Sequence, residues 1–127
     1  MNHKSFEEYI KNRREVSGNL NSLSDLCHAD AVALGWYDTG KQRTDLESIM
    51  MMVTELAECV EELRKPAPVI AAFDLGGKPI GVGTELADCL IRILDYCAHK
   101  DIDIENLVQV KLDHNILRGY RHGNKRY

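Results

Sequence analysis

The sequence lacks several features that would assign it to a specialised class of protein. No apolar run approaches the roughly 20 residues that cross a membrane, and no apolar segment follows Lys4 in the manner of a signal peptide. The formal net charge is −4, whereas proteins that bind nucleic acid irrespective of sequence are usually basic. We therefore expect neither a membrane nor a nucleic acid among its partners.

The cysteines form no C-x-x-C pair, and their spacing from the histidines fits no common zinc motif. Three of them fall in predicted helices, on or near apolar faces. We interpret them as reduced core residues, with a zinc site that includes His28 or His99 as the alternative. Reduced cysteines are typical of a cytoplasmic location, which we therefore predict.

A chain of 127 residues is long enough for one domain with a hydrophobic core, and neither an internal repeat nor a low-complexity segment divides it. We predict a single domain over residues 1–127. It comprises an N-terminal accessory segment (1–21), a helical bundle (22–118) and a basic tail (119–127). The predicted fold class is all-α, resembling a four-helix bundle.

Capping signals and breakers set the expected helix boundaries. Ser22 would cap a helix over residues 23–33, and the capping box of Thr44 and Glu47 would begin one that Pro66 stops. A third helix would begin at Gly83 or Thr84 and run to about residue 100. Asp103 would cap a fourth over residues 104–118, and a short helix over 5–14 would precede them all.

Two apolar stripes are predicted to form the core. They comprise Ile49, Met52, Val53, Leu56, Val60 and Leu63 on the second main helix, and Leu86, Cys89, Leu90, Ile93, Leu94 and Cys97 on the third. The loop between these helices begins at Pro66, ends at Gly83 and contains all three prolines. We predict a small β-hairpin in it, and a loop of this length is more often functional than decorative.

Two pairs of acidic residues flank this loop. Glu55 and Glu58 are spaced i, i+3, as are Glu85 and Asp88, so each pair lies on one face of its helix. If the two helices pack side by side, four carboxylates converge, and a hard divalent cation would relieve their repulsion. The simpler alternative is a pair of solvated acidic faces. A di-iron site would instead require E-x-x-H, which neither helix has.

The pattern E-x-x-E, spacer, E-x-x-D resembles the MazG-like all-α nucleoside triphosphate pyrophosphohydrolases, and the likeness extends over roughly residues 22–125. Further matching stretches are the Gly35-Trp36-Tyr37-Asp38 run, residues 85–95 and the basic tail. The resemblance implies Mg²⁺-dependent hydrolysis, with Mn²⁺ as a substitute, of NTPs or dNTPs between the α and β phosphates. The products are a nucleoside monophosphate and pyrophosphate. A role in nucleotide-pool housecleaning and assembly as a homodimer or homotetramer are also implied.

The same resemblance implies roles for individual residues. Glu55, Glu58, Glu85 and Asp88 would hold the metal, and Glu55 or Glu62 would orient or deprotonate the attacking water. The phosphate ligands would be Lys111, Asn115, Arg118 and Lys125. Trp36 would stack on the nucleobase with His28 nearby, although core packing is the alternative for Trp36. Asn124 departs from the H-G-G-K pattern of the family by replacing its second glycine.

Two further interpretations remain open. One is a related enzyme of different specificity, such as a dCTP or dUTP pyrophosphatase or a phosphoribosyl-ATP pyrophosphohydrolase. The other is a non-catalytic helical bundle that binds nucleotides or a partner protein. The sequence does not identify the preferred base, which we expect Trp36, His28 and the loop of residues 66–83 to determine.

Overall fold

A computed structural model describes residues 19–38, 40–117 and 126 of the chain. Within these residues the elements are α1 (Leu20–Ala33), α2 (Asp45–Leu63), β1 (Ala72–Phe73), β2 (Pro79–Ile80), α3 (Val82–His99) and α4 (Ile104–Leu117). The strands pair antiparallel, so the predicted all-α fold with a small hairpin is confirmed. The helix predicted over 5–14 and the tail residues 118–125 lie outside the described residues. No helix in the described ranges is long and apolar enough to cross a membrane.

Local capping explains where the helices begin. The Thr44 hydroxyl accepts a hydrogen bond from the Glu47 amide at 3.2 Å, and the Glu47 carboxylate accepts one from the Thr44 amide at 2.8 Å. This confirms the predicted capping box. The prediction for α1 was wrong, because the Asn19 side chain caps it and accepts a hydrogen bond from the Ser22 amide at 2.9 Å. Asparagine is as effective an N-cap as serine, so the helix begins earlier than expected.

The start of α3 is held by the segment that precedes the hairpin. The amides of Val82 and Gly83 each donate to a carbonyl of that segment, those of Val69 and Ile70, at 2.8 Å. Gly81, the N-cap, has a φ of +113°, and a Cβ there would lie 2.7 Å from the Ile70 carbonyl oxygen. Only glycine fits this contact, which fixes the first turn of α3.

Helix α3 lies at the centre, in contact with α1 on one side and α2 on the other. Among the described residues, the buried apolar side chains are those of the four cysteines, Cys27, Cys59, Cys89 and Cys97, together with Val82 and Leu94. All four cysteines are free and buried, which confirms their interpretation as reduced core residues. Helix α4 contacts α1, where the Asn21 side chain donates to Asp103 at 2.8 Å.

The prediction that the apolar stripe of α2 faces the core is wrong. Five of its members are between 45% and 54% exposed: Ile49, Val53, Leu56, Val60 and Leu63. On α3, Leu86 and Leu90 are likewise exposed. The two helices meet instead through thiols, since Cys59 donates to the Val82 carbonyl and Cys89 to the Met52 carbonyl, at 3.3 and 3.5 Å. This contact turns the apolar stripe of α2 away from α3.

Candidate functional site

Three of the four predicted metal-binding carboxylates lie together between α2 and α3. Glu55 and Glu58 are one turn apart on α2, and Glu85 lies in the first turn of α3. One carboxylate oxygen from each of the three lies within 4.8 Å of the others. We call these residues the carboxylate cluster. They meet because the i, i+3 spacing on α2 coincides with the fixed start of α3.

The negative charge of the carboxylate cluster is only partly compensated. Glu55 is only 7% exposed, and Arg92 Nε of α3 donates to its Oε1 at 2.5 Å. Burial raises the pKa of Glu85, and its proximity to Glu58 and the negative charges of Glu58, Asp88 and Glu55 raise it further. Arg92 therefore compensates one carboxylate, and repulsion among the rest persists.

Asp88, the fourth predicted ligand, lies beside the carboxylate cluster without being part of it. Its carboxylate is exposed. Partial desolvation and then the negative charge of Glu55 raise its pKa, while the positive charges of Arg92 and Lys78 lower it. Asp88 is thus close enough to Glu55 to sense its charge, and Lys78 brings a cation from the hairpin to the same region.

A cavity of about 440 Å³ adjoins two of the four predicted metal ligands, Glu55 and Asp88, whereas Glu58 and Glu85 do not line it. Glu55, Asp88 and Arg92 contribute to its wall, together with Trp36 and Arg43 from the segment between α1 and α2. The Trp36 side chain is 61% exposed, and the Arg43 guanidinium carbon lies 5.5 Å from the centre of its ring. The core-packing alternative for Trp36 is therefore wrong, and its ring is accessible to a ligand.

A hydrogen-bonded network around Asp95 forms another part of the cavity wall. The Tyr37 hydroxyl donates to Asp95 Oδ1 at 2.8 Å, and His28 Nδ1 lies 2.8 Å from the same oxygen. Burial, followed by the hydrogen bond to Asp95, raises the pKa of Tyr37 well above its ordinary value, so the phenol stays protonated. His99 also lines the cavity, with its ring 4.8 Å from that of Tyr37.

His28 is not among the residues that line the cavity. It contacts Asp95 and packs edge-on against the Tyr37 ring, with the ring centres 4.9 Å apart. This arrangement has His28 supporting the cavity wall from behind. Its predicted direct contact with the base stays a prediction.

The remaining predicted residues lie away from the carboxylate cluster or beyond the described part of the chain. Glu62 is half-buried and pairs with Lys65 one turn later. On α4, Lys111 is exposed and Asn115 half-buried, and neither lines the cavity. Arg118 and Lys125 lie outside the described residues. The phosphate-binding role of this set therefore stays a prediction.

Sequence reasoning assigned no role to Asp95, Arg92 or Tyr37. The available signal is the spacing of Glu85, Asp88, Arg92 and Asp95, which places these polar residues on one face of α3. It did not indicate that Arg92 binds Glu55 or that Asp95 binds Tyr37.

Comparisons of the chain with protein-family models, with curated proteins and with solved structures found no match. The resemblance to the MazG-like enzymes therefore stays a prediction, which rests on the sequence motifs described above.

Proposed function

We propose that this protein is a Mg²⁺-dependent hydrolase that cleaves NTPs or dNTPs between the α and β phosphates. Its products would be a nucleoside monophosphate and pyrophosphate. The observation that carries this proposal is the shared cavity, whose wall contains Glu55 and Asp88 as well as the exposed ring of Trp36. A nucleotide needs both surfaces, because a metal-bound phosphate tail and an apolar base belong to one molecule.

The donor atoms suit the metal. The carboxylate cluster offers three oxygen ligands within 4.8 Å of one another, and Asp88 lies beside them. Carboxylate oxygens favour Mg²⁺ or Mn²⁺ over metals that prefer sulfur or imidazole. When bound, such an ion polarises phosphate oxygens and lowers the pKa of a coordinated water.

The chain's own residues then have distinct tasks. Arg92 keeps Glu55 fixed by its hydrogen bond, so that a metal ligand is held in place before substrate enters. Glu55 rather than Glu62 is favoured to orient the water, because Glu55 lines the cavity and Glu62 is paired with Lys65. The phosphates would be held by Lys111, Asn115, Arg118 and Lys125, and the base by stacking on Trp36.

We also propose that the protein acts in the cytoplasm as a homodimer or homotetramer. Its role there would be nucleotide-pool housecleaning. The first alternative is a related dCTP, dUTP or phosphoribosyl-ATP pyrophosphohydrolase. Such an enzyme uses the same chemistry, and a panel of substrates distinguishes it from the proposed one. A non-catalytic nucleotide-binding bundle would bind nucleotides without turnover.

The test is pyrophosphate release from the eight common NTPs and dNTPs with Mg²⁺. We expect release by the wild type and its loss, by about 100-fold or more, in Glu58→Ala and Asp88→Ala, because these variants lose metal ligands. Glu61→Ala is the matched control, since Glu61 is exposed on the same helix and pairs with Arg64 at 3.0 Å. Orthophosphate release would place cleavage at another bond, and binding without release would favour the non-catalytic bundle.

A further inference from the structure

We propose that Asp95 makes the cavity selective for nucleobases that carry an exocyclic amino group, such as cytosine and adenine. Their carbonyl counterparts, uracil and hypoxanthine, would be disfavoured. This inference rests on the proposed function, because it assigns the base of the nucleotide to the cavity next to the carboxylate cluster.

The two oxygens of Asp95 are in different situations. Oδ1 is engaged by both Tyr37 and His28, each at 2.8 Å. No residue in the described ranges donates a hydrogen bond to Oδ2. Within those ranges no buried side-chain oxygen or nitrogen lacks a partner, so Oδ2 is accessible rather than enclosed. Since Asp95 lines the cavity, Oδ2 is the oxygen available to a ligand there.

The network fixes what Asp95 can offer. Tyr37 stays protonated and donates, because burial and this hydrogen bond raise its pKa. With Oδ1 held from two sides, the carboxylate cannot rotate without losing both contacts. An ionised carboxylate only accepts hydrogen bonds. An amino group on the base would donate to Oδ2, whereas a carbonyl oxygen at the same place would bring lone pairs against it.

The rest of the cavity would bind any base, whether it carries an exocyclic amino group or a carbonyl oxygen. The exposed Trp36 ring, with the Arg43 guanidinium above it, offers a surface for stacking, and every base has a π face. A volume of about 440 Å³ lies in the range of small-molecule sites and suits purines and pyrimidines alike. The edge of the base that faces Asp95 therefore supplies the discrimination.

The experiment compares nucleotides that differ only in this group. We would measure kcat/KM for pyrophosphate release from dCTP beside dUTP and from dATP beside dITP. The wild type should prefer the amino member of each pair by about 10-fold or more, since hydrogen bonds to charged groups have effects of this order. Equal rates within both pairs would overturn the inference while leaving the hydrolase intact.

Asp95→Asn is the decisive variant. Its amide oxygen can still accept from Tyr37 and His28, which turns the amide nitrogen, a donor, towards the base. The preference should therefore fall below about 2-fold or invert towards dUTP and dITP. Asp30→Asn removes the same charge from the same cavity wall and should leave the ratio within each pair unchanged. If Asp95→Asn does not fold, Tyr37→Phe, which removes one of the two contacts to Oδ1, should reduce the preference in the same direction.

A second measurement separates base selection from catalysis. Trp36 is the only tryptophan, so its fluorescence reports directly on occupation of the cavity. We would titrate the non-hydrolysable α,β-imido analogues of dCTP and dUTP. Tighter binding of the dCTP analogue, combined with no pyrophosphate release from dCTP itself, would uphold the role of Asp95 and reject the proposed hydrolase. Binding of neither analogue would reject both.

Discussion

The two faces of α2 differ in burial in the opposite sense to that of an ordinary surface helix. The face towards α3 carries Glu55 and Cys59, both buried. The opposite side carries Val53 and Leu56, each 46% exposed, and Val60 at 54%. A surface helix usually directs its apolar stripe to the core and its charges to water. Within the described residues, α2 therefore shows the inverse of this usual arrangement.

Each face points to a different missing contact. Glu55 is buried with the carboxylates of Glu58 and Glu85 close by, and a cation among the three would offset the cost of burying Glu55 and the repulsion among them. A continuous exposed apolar stripe marks a surface that contacts another molecule. We propose that a second copy of the chain covers the stripe, in line with the predicted homodimer or homotetramer, because the exposed residues of α2 and α3 can pack against their own equivalents across a two-fold axis.

The largest expected effect is on the self-association that we propose for the exposed apolar stripe of α2. The wild type should sediment as a dimer or tetramer at micromolar concentration. Leu56→Glu should raise the dissociation constant on the order of 100-fold, because it would place a charge in an apolar interface. Leu75→Glu, in the exposed turn of the hairpin, is the control and should leave assembly unchanged. A monomeric wild type would mean that no second copy covers this stripe.

The same comparison explains how far the sequence could predict the structure. The capping box at Thr44, the cap at Asp103 and the hairpin depend on neighbouring residues, and all three are present. The i, i+3 spacing likewise placed Glu55 and Glu58 together. The period of the stripe showed which residues share a face, but it does not specify which neighbour that face meets.

The sequence patterns could not predict which residues far apart in the chain contact each other. The hydrogen bond from Arg92 to Glu55 joins residues 37 apart, and the contact of His28 with Asp95 joins residues 67 apart. Both depend on the rotation of α3 against its neighbours. The contacts along these interfaces include those of the Cys59 and Cys89 thiols, which leave no periodic signal in the sequence.

A smaller effect, on the free energy of unfolding, is expected from a substitution at the face of α2 that contacts α3. Arg92→Met should destabilise the metal-free protein by about 1–3 kcal/mol, because it leaves Glu55 buried without its cation. The Glu55 side chain is 9% exposed and that of Arg92 31%, so the expected loss is less than for a fully buried pair. Urea unfolding in the presence of a chelator measures it.

The outward ion pair on the same helix supplies the control. Arg64 and Glu61 lie 3.0 Å apart with both side chains well exposed, so Arg64→Met should cost less than about 1 kcal/mol. Equal losses in the two variants would show that burial does not distinguish the two pairs. Mg²⁺ should recover part of the stability that Arg92→Met loses, because it supplies positive charge to the same carboxylates.

The smallest effect concerns the pH dependence of the carboxylate cluster. The pKa of Glu85 is raised above its ordinary value of 4.5, so the metal-free folded protein holds that proton more tightly than the unfolded chain does. Its unfolding free energy therefore falls as the pH rises from 4.5 through the raised pKa, and the loss persists at neutral pH. The effect is modest because Glu85 remains in partial contact with water.

Comparison with Glu85→Gln isolates this contribution, since carboxylates such as Glu47, whose pKa is lowered by hydrogen bonds to Thr44, act in the opposite direction. In a chelator, the variant should be more stable than the wild type at neutral pH, and the difference should shrink as the pH falls to 4.5. Added Mg²⁺ should reverse the order, because it stabilises the ionised wild-type cluster and the amide is a weaker ligand. A difference that is independent of pH would mean that the charge of Glu85 is not repelled in the folded state, and the contrast between the two faces of α2 would then rest on the apolar stripe alone.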